Sequence, residues 1–185
     1  MNCWKSISVE KDIGMVRLLF LSALTMMVYF MIYFVFFTTF ITSEPLVDYG
    51  VLFLTILLLM VFPLHVLLHC LPIWLSGSKA RIRVRKQHWP YIYYSANGTI
   101  SKQTAILSAL FPGLVITAGS VLVSVTMPHL IHYMAMMSAL NIGICVYDFL
   151  HMKQLSRAPK KCLVEEHRNG YHILYDNEFT KIRNQ

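Results

Sequence analysis

The stretch YGVLFLTILLLMVFPLHVLLHCLPIWL, residues 49–75, decides the fold. It carries no Asp, Glu, Lys or Arg, and about 20 mostly apolar residues are enough to cross the hydrocarbon core of a bilayer. Three more runs are of the same kind, at residues 18–41, 105–127 and 130–152. Only the last contains an acid, Asp148. Composition agrees: 56% of the 185 residues are hydrophobic and 14% charged, against about a quarter charged in water-soluble domains. The expected fold class is an all-α membrane protein with four transmembrane helices, forming one integral membrane domain over residues 1–185. The first run is too long for the 7–15-residue apolar region of a signal peptide, and no small-residue cleavage site follows it. It reads as a retained helix.

Charge sets the orientation. All Lys and Arg residues fall in segments 1–17, 76–104 and 153–185, and none in the two short connections. By the positive-inside rule both termini and the middle loop are cytoplasmic. The net charge of +7 then follows from membrane insertion and attraction to anionic lipid, and nucleic-acid binding is not expected. RIRVRK, residues 81–86, is the only tempting basic patch, and it sits just past a helix end. The expected partner is the lipid bilayer. The four cysteines, Cys3, Cys70, Cys145 and Cys162, fall in or near the cytosol and are expected to be free thiols.

The middle loop and the tail have β character. Ile82 and Val84 alternate with charged neighbours, the pattern breaks at Trp89-Pro90, and the β-prone YIYY precedes Asn97-Gly98. In the tail, KCLVEEH and YHILYDN flank Asn169-Gly170. Asn-Gly is a strong hairpin turn signal, so small cytosolic β-hairpin elements are expected in both segments.

Within residues 49–75, His65 and His69 are four apart. Residues at i and i+4 share a helix face, about 6 Å apart, so two imidazoles there can reach one cation. Asp148 is the only acid between Asp48 and Glu165. An aspartate at the centre of a membrane helix costs about 2.5–3.5 kcal/mol and should have a partner. At 1.5 Å per residue, His65 lies about 24 Å and Asp148 about 25 Å along helices that both run outside to inside. The three groups share a level near the cytosolic boundary. Their spacing allows a metal site with an open fourth position, as catalytic zinc sites have. It equally allows a metal-free site in which the histidines bond Asp148 directly. Two imidazoles and a carboxylate suit zinc, iron or manganese.

Cys145 and Asn141 lie on the face of Asp148. The cysteine reads as a small buried hydrophobe before it reads as a ligand. The asparagine reads as a bond to a neighbouring helix before it reads as a substrate contact. Pro63, ahead of the histidine pair, and Pro112-Gly113 mark places where helical carbonyls lose their donors.

The His-x-x-x-His spacing is that of H-E-x-x-H zinc sites, where the glutamate moves a proton between metal-bound water and the leaving amine. Val66 occupies that place here and cannot transfer a proton. Neither residues 49–75 nor the following loop contain another acid. Glu165 and Glu166 in the tail are the only nearby replacement bases.

HVLLHCL, WPYIYY, LFPGL, VYDFLHM and APKKCLVEEHRNGYHI, in this order over most of the chain, resemble the motifs of DUF3267. This is a family of small bacterial four-helix membrane proteins regarded as zincin peptidases. The resemblance implies Zn2+ ligation by His65, His69 and Asp148 in a bacterial inner-membrane protein. The departure at Val66 implies a degenerate peptidase that binds a metal or a membrane-protein client. The alternatives are an active zinc metallopeptidase and a metal-free membrane adaptor. A homo-oligomer stays open.

Overall fold

Four apolar runs become four long helices: α1 (Met15–Phe40), α2 (Gly50–Leu75), α3 (Lys102–Thr126) and α4 (Ile131–Ser156). All four are long and apolar enough to cross a membrane. The computed structural model describes residues 2–7, 13–41, 45–84, 92–96, 98–159, 162–167 and 170–175.

Helix ends move from the apolar limits to where polar groups satisfy the backbone. α3 starts at Lys102, three residues before the apolar run, because the Ser101 hydroxyl accepts from the Thr104 N–H at 3.1 Å, an N-cap. α4 continues past residue 152 to Ser156. The Lys102 ammonium donates to the carbonyls of Ser156 and Ala158, placing a cation where free carbonyls gather at a helix C-terminus. At the other end, Asp48 Oδ1 accepts from the Gly50 N–H at 2.7 Å and from the Tyr133 hydroxyl at 2.8 Å.

α4 is the central helix and packs on the other three. Gly143 lets α1 approach closely: a Cβ there would lie 3.1 Å from Met26 Cβ and 3.4 Å from the Ser22 carbonyl oxygen. Small residues at such contacts are the usual device for close helix packing in lipid. Tyr29 and Tyr33 of α1 bond Ser138 and Ser124, each at 2.9 Å, tying α1 to α4 and α3.

Among the described residues, six strands gather at the end where α1 and α3 begin and α2 and α4 end: β1 (Asn2–Ile7), β2 (Ala80–Val84), β3 (Ile92–Ala96), β4 (Thr99–Ser101), β5 (Cys162–His167) and β6 (Gly170–Tyr175). One antiparallel sheet has the order β1-β6-β5-β4 and the other pairs β2 with β3. The β-prone segments thus form strands, and the middle loop contributes the expected antiparallel pair, β2 with β3. From Gly98 the chain passes to the other sheet, where β4 pairs with β5. Ile100 of β4 buries in a core with Val164 and Ile173, and Thr99, Ile100 and Ser101 pair with Glu165, Val164 and Leu163. Gly98, at φ 89°, takes a backbone conformation open to glycine at this change of sheet. In the tail, β5 and β6 form the expected hairpin, with His167 opposite Gly170. Trp89-Pro90, Asn97 and Asn169 lie outside the described residues.

Candidate metal centre

His65 and His69 project from one face of α2 and are almost fully buried, at 4% and 3% exposure. Asp148 reaches them from α4. His65 Nε2 lies 3.2 Å and His69 Nε2 3.4 Å from Asp148 Oδ2, and the two Nε2 atoms are 3.1 Å apart. The three atoms make a nearly equilateral triangle.

The opposite edge of each ring fixes its protonation. His69 Nδ1 is 2.8 Å from the backbone carbonyl oxygen of Ser108. A carbonyl only accepts, so Nδ1 carries the hydrogen. That carbonyl is available because Pro112, four residues on, has no N–H to return to it. Ser108 answers with its hydroxyl, which donates to the His69 carbonyl at 2.7 Å.

His65 Nδ1 is 2.9 Å from Asn141 Oδ1. The amide cannot be reversed, because Asn141 Nδ2 donates to the Pro112 carbonyl at 3.2 Å. Oδ1 therefore accepts, and His65 also carries its hydrogen on Nδ1. In their neutral forms both rings turn bare Nε2 lone pairs toward each other and toward a carboxylate oxygen.

Three lone pairs at such distances repel unless a proton or a cation lies among them. Asp148 Oδ2 is buried and accepts no well-formed hydrogen bond among the described residues. With metal–ligand bonds of 2.0–2.1 Å, the edge of a coordination tetrahedron is about 3.3 Å. The sides measured here are 3.1, 3.2 and 3.4 Å. The donors thus fit a tetrahedral divalent cation without rearrangement, and hydrogen-bonded Nδ1 atoms are the usual support of ligating histidines.

Two further groups border the triangle. Cys145 is fully buried, and its Sγ, His65 Nε2 or Nδ1 and an Asp148 oxygen lie within 4.8 Å of one another, a group that can hold a metal ion. His151, one turn beyond Asp148, packs at a tilt against Tyr171 of β6, with ring centroids 3.9 Å apart. Its Nε2 is buried without a hydrogen bond among the described residues.

Glu165 is exposed on β5, and no described contact joins it to the triangle. The Glu166 side chain lies outside the described residues. Val66, half-buried, follows His65 on α2.

A family model for DUF3267, described as "Putative zincin peptidase", matches residues 58–163, more than half of the chain. The chain belongs to the DUF3267 family. Comparisons with curated proteins and with solved structures returned no match. The DUF3267 segment contains His65, His69, Asn141, Cys145 and Asp148, together with Ser108 and Pro112, so the ligand candidates and the groups that orient them share one unit.

Sequence reasoning singled out Asn141 as a bond to a neighbouring helix but not as the group that sets a histidine tautomer. It missed the Ser108 carbonyl. The signal was there in Pro112, whose missing N–H identifies the free carbonyl four residues earlier.

Proposed function

We propose that this DUF3267 protein is a multi-pass membrane protein of the bacterial cell membrane that holds Zn2+ at His65, His69 and Asp148 and does not hydrolyse peptides. The observation that carries the reading is the convergence of two Nδ1-protonated imidazoles and a carboxylate on one point, at the spacing of a zinc tetrahedron.

In zincins the bound metal supplies a water activated for attack. That chemistry also needs a base beside the metal, and here Val66 stands where the glutamate would be. The acidic side chain seen against the histidine pair is Asp148. What remains is binding: the metal staples α2 to α4, and a membrane-protein client can be held with no base to cut it.

The test is metal analysis of the detergent-purified protein beside a His65→Ala/His69→Ala variant. Near-stoichiometric zinc in the wild type and none in the variant is the expected result. Absence of metal in both after zinc loading would overturn the reading in favour of a metal-free adaptor. Metal-dependent cleavage of a transmembrane substrate by the wild type would overturn the non-hydrolytic part alone.

A further inference from the structure

We infer that Cys145 is the fourth ligand, so that the centre is closed as His65/His69/Asp148/Cys145 with no position left for water. The inference rests on the proposed metal site and goes beyond the three ligands of that reading.

Three observations carry it. The first is proximity: a ligand atom of His65, the Cys145 sulfur and an Asp148 oxygen all lie within 4.8 Å of one another. In a tetrahedron with a metal–sulfur bond of about 2.3 Å and metal–nitrogen bonds of about 2.0 Å, sulfur and nitrogen stand about 3.5 Å apart. Closure draws the sulfur inward toward that separation.

The second is position. Cys145 lies three residues before Asp148, which puts both side chains on the same face of α4. Gly113 of α3 keeps the space beside the sulfur open: a Cβ there would sit 3.4 Å from Cys145 Sγ.

The third is charge. Two neutral imidazoles, one carboxylate and a divalent cation leave a net positive charge among apolar helices, where an uncompensated charge is expensive. A thiolate makes the centre neutral. As the sulfur–metal bond forms, the thiol gives its proton to solvent and nothing is oxidised.

A closed four-ligand site is the signature of structural zinc, whereas catalytic zinc keeps one open position. Closure would make a base at position 66 useless. The valine there and the cysteine on α4 would then serve one role, scaffolding rather than hydrolysis.

The experiment is cobalt substitution of the full-length protein in detergent, read by absorption spectroscopy, with Cys145→Ala and Cys70→Ala variants alongside. The expected result is an intense near-ultraviolet thiolate-to-cobalt band in the wild type. The band should persist in Cys70→Ala and vanish in Cys145→Ala, with cobalt affinity down at least tenfold in the latter. Cobalt bound by the wild type without the band would overturn the fourth ligand and leave the three-ligand site standing. A band that survives in Cys145→Ala would overturn it too. No cobalt bound by the wild type would overturn the site and its fourth ligand together. If Cys145→Ala fails to fold, X-ray absorption of the zinc-loaded wild type decides: one sulfur at about 2.3 Å supports the inference, and a shell of nitrogen and oxygen alone refutes it.

Discussion

His69 Nδ1 donates to the Ser108 carbonyl at 2.8 Å, and that carbonyl is free because Pro112 has no N–H. A proline that breaks one hydrogen bond in α3 thereby orients a ring on α2. Pro112→Ala would return an N–H to compete for this carbonyl. His69 would be held less firmly, and metal affinity should fall by about tenfold, the low end of the 10–100-fold typical when such supporting partners are lost. Chelator competition on the purified variant measures this. Unchanged affinity would mean that the carbonyl does not orient the ring.

Asn141 bridges His65 and the Pro112 carbonyl while fully buried. Asn141→Ala removes both bonds and frees the His65 ring to change tautomer. The expected loss of metal affinity is about 10–100-fold, larger than for Pro112→Ala, because His65 has no second Nδ1 partner among the described residues. The same chelator competition ranks the two variants, and the reverse order would sink the argument.

How far the molecule is legible in its sequence depends on the kind of signal. Four charge-free runs are one-dimensional, and they became four helices. So are a four-residue histidine spacing and a depth matched to Asp148, and the structure brings those three residues together. The Ser108 carbonyl is a backbone atom with no residue identity, visible only through the proline that frees it. Cys145 could be placed on the face of Asp148 but not at a distance from it, since spacing along one helix says nothing of the neighbour opposite. The strand β1 was not legible: it is made by pairing with β6 across nearly the whole chain. The partner of β4 was not legible for the same reason: it pairs with the distant β5, and Ile100 buries with Val164 and Ile173.

Gly143 should be the least replaceable glycine in the bundle. Alanine there meets Met26 Cβ at 3.1 Å and the Ser22 carbonyl at 3.4 Å, and neither contact can relax without moving α1 from α4. Gly143→Val should destabilise by about 1–3 kcal/mol, as overpacking does, and Gly143→Ala by less. Unfolding in mixed detergent gives the comparison. Gly119, beside which a Cβ would meet nothing within 4 Å, serves as control, and equal effects at the two sites would refute the close-packing argument.

Asp48 carries a pH dependence at the other end of the bundle. The Gly50 N–H, and after it the Tyr133 hydroxyl, hold its carboxyl below the usual carboxylate range. A group with a depressed folded-state pKa binds fewer protons when folded. Its stabilising effect is therefore present above the unfolded value, about 3.9, and is lost as pH falls through the folded one. Melting in detergent should fall with pH below about 4, and the slope should flatten in Asp48→Asn. An unchanged slope would place the acid sensitivity elsewhere.

Restoring glutamate at position 66 separates a missing base from a closed site. General base catalysis contributes about 10²–10⁴-fold, so with an open metal position Val66→Glu alone should yield measurable cleavage of a transmembrane substrate. If Cys145 fills that position, Val66→Glu stays inert, and only the Val66→Glu/Cys145→Ala double variant gains activity, because only there do a water position and a base coexist. A chelator must abolish whatever cleavage appears. Cleavage by the single variant at the rate of the double would show that the thiol does not block the metal.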